Sequence, residues 1–270
     1  MPSSLRRPKL GQHFLRDPRY VRKIVDALSV QPDDLLIEIG PGHGEITRIL
    51  ASKIHALTAI EIDPSLAARL RQEFRDSDKI EIFEGDILKA DLGKICERHK
   101  KKQCYVFGNL PYYITSPILH RLFAARARIR HMTVLVQREV AERITSKPGF
   151  RSYGYLSILA QCFSQPQIVL EIPPGAFEPP PKVYSALVDC RMVSRFPKWD
   201  GPSYTAFLNF ARICFAQKRK NLLNNLLAVY SQHQARQALE ESELKTNIRA
   251  EQLSLKQLAN LFERLRLCNL

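Results

Sequence analysis

At 270 residues, with 45% hydrophobic and 25% charged residues, the chain can bury a sizeable core and has room for one large domain and a smaller one. A net charge of +14 with a pI near 9.7 is more than a small-molecule enzyme needs and points to a polyanionic partner. No run of about 18 apolar residues offers a membrane span, and the opening Met-Pro-Ser-Ser-Leu-Arg-Arg-Pro-Lys lacks the apolar stretch of a secretory signal, so the expected location is the cytoplasm.

Between Asp33 and about residue 190, short β-rich runs alternate with helical patterns. Leu35–Ile39, Ala56–Ile60, Lys79–Phe83, Tyr105–Phe107 and Met132–Val136 set the βαβ rhythm of a doubly wound, mostly parallel sheet. Gln167–Ile172 and Ser185–Cys190, with only a proline-rich loop between them, are expected to form an antiparallel pair at the sheet edge. From about Arg195 the pattern turns helical: Tyr204, Phe207, Leu208, Ala211, Cys214 and Phe215 share one face of a helix expected to run to Leu227. Ser254-Leu-Lys-Gln257 is a capping box that predicts the start of the last helix. The expectation is an α/β domain over 1–194 and a smaller all-helical domain over 195–270, with Phe196–Pro202 as linker.

Four features fall at strand ends. Glu38-Ile-Gly40-Pro-Gly42-His-Gly44 follows the first strand and opens a helix, letting backbone approach a ligand where side chains would clash. Its Gly-x-Gly-x-Gly spacing suits a cofactor without the pyrophosphate that Gly-x-Gly-x-x-Gly seats. Glu61, 21 residues after Gly40, is where a carboxylate accepts both hydroxyls of a ribose. Asp86 in Gly85-Asp86-Ile87-Leu88 can accept from an adenine amino group, although either acid taken alone is more often a solvated strand-end residue. Asn109-Leu110-Pro111-Tyr112 offers two acceptors, the Asn109 side-chain oxygen and the Leu110 carbonyl, for both N–H groups of an exocyclic amine, and the Tyr112 ring for stacking its base. Together they describe S-adenosylmethionine beside a target amine.

Cysteines at 96, 104, 162, 190, 214 and 268 are too scattered for a Cys-x-x-Cys pair, and the seven histidines show no metal spacing. No metal site is expected, nor a triphosphate site, since the chain has no Gly-x-x-x-x-Gly-Lys-Ser/Thr turn. Basic residues cluster at Arg6, Arg7 and Lys9, at Arg98–Lys102, at Arg126, Arg128 and Arg130, and at Lys218, Arg219 and Lys220. The last triplet, beside Gln217 and Asn221, is the candidate contact to RNA phosphates.

These motifs, with Gly11-Gln-His-Phe-Leu15, Phe177-Glu-Pro-Pro-Pro-Lys-Val183 and Cys214-Phe-Ala-Gln-Lys-Arg-Lys-Asn221, resemble in order and over nearly the full length the KsgA family of ribosomal RNA adenine dimethyltransferases. The resemblance implies a Rossmann-like class I methyltransferase sheet and S-adenosylmethionine contacts at the positions of His13, Leu15, Gly40, Gly42, Glu61, Asp86 and Asn109. The family's common first motif has Asn where this chain has His13, a change that a backbone contact survives. It also implies Phe177 closing on the second face of the target base. The substrate implied is two adjacent adenosines in the 3′-terminal hairpin loop of small-subunit ribosomal RNA, met in an immature 30S-type particle; with no evident association helix in the sequence, a monomer is expected. Erm-type enzymes acting on large-subunit RNA share the core and the Asn-x-Pro-Tyr turn. A ribosome-assembly binding factor would need the basic patches but not Asn109. A DNA methyltransferase would want a module for reading the major groove, and a nicotinamide dehydrogenase a different glycine spacing.

Overall fold

The structure, a computed structural model, describes residues 13–267. Arg6, Arg7, Lys9, Gly11 and Cys268 lie outside the described residues. In chain order the elements are β1 (Phe14–Leu15), α1 (Pro18–Ala27), β2 (Leu35–Ile39), α2 (Glu45–Ala51), β3 (Ala56–Glu61), α3 (Pro64–Glu73), β4 (Ile80–Glu84), α4 (Leu92–Arg98), β5 (Cys104–Asn109) and α5 (Thr115–Ala124). There follow β6 (Ile129–Gln137), α6 (Arg138–Thr145), α7 (Tyr155–Phe163), β7 (Ser164–Ile172), β8 (Phe177–Glu178), β9 (Ser185–Met192), α8 (Gly201–Cys214), α9 (Leu222–Leu226), α10 (Gln232–Glu241) and α11 (Leu255–Leu267). No helix among the described residues is long and apolar enough to cross a membrane.

Seven strands form one sheet in the order β4-β3-β2-β5-β6-β9-β7, and β1 pairs with β8 apart from it. The pairs β2–β3, β2–β5, β3–β4 and β5–β6 are parallel, while β9 runs antiparallel to β6 with Leu187 opposite Leu135. The mixed doubly wound sheet read from the sequence is therefore present. Its last two strands divide the expected edge role: β7 is the edge, and β9 lies between β7 and β6. Every residue of β2 is buried, as a continuous apolar run in a central parallel strand requires, whereas Ile80–Phe83 of β4 are only half-buried at the opposite edge. Asp63 and Asp91 cap α3 and α4 by accepting from the backbone N–H groups that follow, which fixes where each loop gives way to helix.

Two compact units emerge from the contacts: one joins the chain up to Ala141 with Gln165–Met192, and the other joins Glu142–Ser164 with the chain from Val193 on. The second unit is thus wider than a division at residue 195, because α7 packs among α8 and α11. The helix expected to run to Leu227 stops at Cys214. The Asn225 side chain donates to the carbonyls of Cys214 (2.8 Å) and Gln217 (3.3 Å), satisfying acceptors that another helical turn would have used, and the Asn221 side chain caps α9. Lys218–Lys220 consequently sit on a connecting turn. The Phe196–Pro202 segment is not a loose linker: Phe196 stacks on Trp199 at 4.2 Å, and Trp199 meets Tyr204, Phe207 and Phe262. At Ser254 the capping box forms as read, with Ser254 and Gln257 each accepting the other's backbone N–H.

Near the amino ends of β5 and β6, the Tyr105 ring stacks on His131 at 4.8 Å, and Asp189 Oδ1 accepts from Thr133 Oγ1 (2.8 Å) beside His131 Nε2 (2.6 Å). Burial pushes the Asp189 carboxyl up, but the hydrogen bonds of His131 and Thr133 outweigh it and hold the group below the usual carboxylate range. The stability it contributes is present above the unfolded carboxyl's pKa and is lost as pH falls through the lower native value. Asp189→Asn is expected to cost about 1–3 kcal/mol in urea unfolding at pH 7, a deficit that shrinks below about pH 3.9. A deficit unchanged at low pH would separate Asp189 from this linkage.

Candidate active site

Because β4, β3, β2 and β5 are adjacent and parallel, their carboxyl ends set four features side by side: Asp86, Glu61, the Gly40–Gly44 turn and Asn109. Strand order reverses between β2 and β5, which opens a crevice there. The loops prolong the ladder, Gly40 N–H donating to the Ile60 carbonyl (2.9 Å), Gly85 N–H to Glu61 (2.8 Å) and Leu110 N–H to Leu135 (3.0 Å).

Gly40 and Gly42 adopt φ of +65° and +60°, in the left-handed region where a side chain strains the backbone. Glu61, 1% exposed, accepts from Gly42 N–H (3.1 Å) through one oxygen and from Asp63 N–H (2.9 Å) through the other. Burial raises its pKa, and those backbone donors act against the rise. The carboxylate is thereby tied to the glycine turn and keeps lone pairs for a diol. Asp86, half-buried, accepts from Leu88 N–H (2.9 Å) through Oδ1.

Glu38 is a site residue that the sequence reading placed in the motif without assigning it a role. Its side chain is 2% exposed, lines a recess with Leu15, Gly40, Gly42 and Asn109, and has one oxygen, Oε2, without a hydrogen-bond partner among the described residues. Burial, opposed by the Thr47 hydroxyl and reinforced by the charges of Glu45 and Glu61, raises its pKa to about 7. The buried Thr47 hydroxyl, which also has no hydrogen-bond partner of normal geometry among the described residues, is the donor nearest in character. A buried acceptor left unpaired costs about 1–3 kcal/mol, and a cationic donor such as an ammonium would satisfy it. The sequence clue was a single acid in the otherwise apolar Leu35–Ile39.

Asn109 ends β5, and its Nδ2 donates to the His13 backbone carbonyl at 3.1 Å. That bond turns Oδ1 away as the acceptor. The Leu110 side chain is buried, and no donor among the described residues reaches its carbonyl. Tyr112 is half-buried: its hydroxyl shares a 2.6 Å hydrogen bond with Ser185 Oγ, and its ring lies 5.2 Å from that of His13. The His13 ring is engaged through Nδ1 with the Pro179 carbonyl (2.7 Å). His13, Gly40, Gly42, Asn109, Leu110 and Tyr112 line one recess. Leu15 is in the core at 5% exposure and borders the inner recess.

Phe177 departs from expectation. It lies opposite Leu15 in the β1–β8 ladder and is 3% exposed within the core cluster, because Phe177 and Glu178 alternate inward and outward along the short strand. In this structure its ring is not open to a base. A larger open groove has Asp86, Phe83 and Ile95 in its walls but none of Gly40, Asn109 or Tyr112, so it lies outside the recess where the other groups meet.

The model of the family described as ribosomal RNA adenine dimethylase matches residues 3–267. A relative from Acidobacterium capsulatum named ribosomal RNA small subunit methyltransferase A is 44% identical over 264 residues, covering 97% of this chain and 92% of the relative. Another of that name from Koribacter versatilis is 40% identical over 271 residues, covering 97% and 95%. Among solved structures, the 23S rRNA methyltransferase ErmE aligns with a TM-score of 0.72 at 28% identity over 94% of this chain and 99% of its own. A dimethyladenosine transferase from Plasmodium falciparum aligns with a TM-score of 0.78 at 24% identity, over 92% and 96%.

Gly42→Ala would put a Cβ 2.9 Å from Phe14 Cδ1 on a residue with φ of +60°. The variant is expected to bind S-adenosylhomocysteine roughly tenfold or more weakly by titration calorimetry, on a strain of about 1–2 kcal/mol. Unchanged affinity would show that the turn does not shape a ligand seat.

Proposed function

The chain belongs to the ribosomal RNA adenine dimethylase family, and on that premise we propose that it dimethylates the N6 atoms of two adjacent adenosines in the 3′-terminal hairpin loop of small-subunit ribosomal RNA, using S-adenosylmethionine, late in small-subunit biogenesis. The name shared by the relatives at 44% and 40% identity supports small-subunit over large-subunit RNA, since the 23S enzyme stands at 28%. The particle bound is an immature 30S-type subunit, and the enzyme acts as a cytoplasmic monomer.

The observation that carries this reading is the Asn109 amide, fixed by His13 through its N–H so that Oδ1 and the Leu110 carbonyl remain as paired acceptors. By taking both N–H groups of an exocyclic amine they favour a pyramidal nitrogen whose lone pair is free to attack. Tyr112, held through Ser185, offers a ring face worth about 1–3 kcal/mol per stacked base, which offsets part of the unstacking cost. Glu61 would hold the ribose, Asp86 the adenine amine and Glu38 the ammonium. When bound, the cofactor supplies a methyl on a sulfonium, already a good leaving group. The protein therefore needs alignment rather than a strong general base: Asn109 Oδ1 and the Leu110 carbonyl would hold the amine in line with that methyl. Orientation can contribute at most about 7–11 kcal/mol. Phe177 is left out of base stacking because it is buried. Lys218, Arg219 and Lys220, exposed on the turn before α9, supply phosphate contacts from a helical RNA-recognition unit.

The reaction is tested by transferring labelled methyl to small subunits lacking the modification and locating the label after nuclease digestion. Label in N6,N6-dimethyladenosine of small-subunit RNA is expected, with Asn109→Ala reducing transfer at least about tenfold and leaving RNA binding within about threefold. Equal loss of both would remove the positioning role from Asn109. Binding without transfer by the wild type would favour an assembly factor. Glu38 adds a separate readout. Cofactor binding at pH 6 should release close to one proton per site, measured calorimetrically in buffers of differing ionisation enthalpy, because a cation favours the charged form of a group raised to about 7. Glu38→Gln should abolish the release, and an unchanged release would assign it elsewhere.

A further inference from the structure

The segment Ser146-Lys-Pro-Gly-Phe-Arg-Ser-Tyr-Gly154 carries an aromatic residue where a loop normally presents polar ones: Phe150 is 62% exposed. The loop around it is braced rather than loose. Gly149 N–H donates to the Glu251 carbonyl (2.7 Å), Tyr153 N–H to the Phe150 carbonyl (3.0 Å) and Gln161 Nε2 to the Ser146 carbonyl (2.7 Å), and the Ser146 and Ser152 hydroxyls share a hydrogen bond (2.8 Å). Tyr153, three residues on, is fully buried against Phe215, so the exposed ring stands on an anchored base. Lys147 and Arg151 flank it, both exposed, and Lys218 Nζ donates to the Arg151 carbonyl at 3.1 Å, which joins this loop to the Lys218–Lys220 turn. Residues 146–154 and 216–221 together hold five basic side chains and no acid.

Resting on the reading of the chain as a ribosomal RNA enzyme, we infer that Phe150 is a stacking platform for an unpaired RNA base, with Lys147, Arg151 and the Lys218–Lys220 turn taking the phosphates on either side. An exposed, pre-ordered ring flanked by cations is what single-stranded nucleic acid uses: every base has a face to stack, and the backbone is neutralised in passing. Exposed apolar area in a protein partner would be met equally well without the five charges, and those charges set RNA ahead of it. Phe150 belongs to the second unit and the Asn109 recess to the first.

The test measures binding of the full-length protein to naked small-subunit ribosomal RNA and to whole small subunits over a range of salt. Phe150→Ala is expected to weaken both about tenfold without changing the slope of log K against log salt, as loss of one stack would, and Phe150→Trp should restore affinity. Lys147→Gln with Arg151→Gln should instead flatten the slope by about one to two units. Phe150 is exposed, so the urea midpoint of Phe150→Ala should match the wild type and a folding defect is read separately. Wild-type affinity in Phe150→Ala overturns the inference, and a loss confined to whole subunits overturns it in favour of a ribosomal protein. Failure of the wild-type protein to bind small-subunit RNA would bring down the functional reading, and the inference with it.

Discussion

Strands β2 and β5 lie side by side in the sheet although β3 and β4 come between them in sequence. From β2 the chain steps outward to β3 and β4, then returns past β2 to begin the other half at β5, so the connections leave the two carboxyl ends in opposite directions. His13, Phe14 and Leu15 line the gap between them together with the glycine turn and Asn109. The glycine turn closes one wall of that gap and Asn109 the other, while Glu61 and Asp86 extend the first wall along β3 and β4. Topology alone thus brings four short motifs, spread over some seventy residues from Gly40 to Asn109, to one edge.

Within that gap the polar groups depend on one another. Glu61 holds Gly42 through its amide, the positive φ of the turn lets the backbone pass close to Phe14, and His13, next to Phe14, orients Asn109. His13 orients Asn109 through its backbone carbonyl, so this bond does not depend on the identity of its side chain. Its ring meanwhile ties Tyr112 to the Pro179 loop. The consequence is a preset pair of acceptors and a preset ring, which lowers the entropy cost of holding a flipped base in line with the methyl.

The strands and the glycine turn were legible in the sequence because a doubly wound sheet repeats a simple pattern: a buried apolar run, a turn residue and a capped helix. What escaped depends on partners distant in sequence. Asn225, eleven residues after Cys214, ends the helix that apolar periodicity extends to Leu227. Trp199 folds a turn-rich segment into an aromatic cluster with Phe262. Phe177 looks like a free loop aromatic beside three prolines until β8 pairs with β1 and turns it inward. Glu38 was visible as an acid in an apolar strand, but its unpaired oxygen appears only once the recess around it is built.

In the proposed reaction the Asn109 side chain meets the target amine with its oxygen while its N–H stays on His13. This arrangement is read most directly from a crystal structure with S-adenosylhomocysteine and a short RNA bearing the adenosine pair. The account predicts N6 within hydrogen-bonding reach of both Asn109 Oδ1 and the Leu110 carbonyl, with Nδ2 still donating to His13. An amide turned the other way, or an N6 met by other groups, would contradict it.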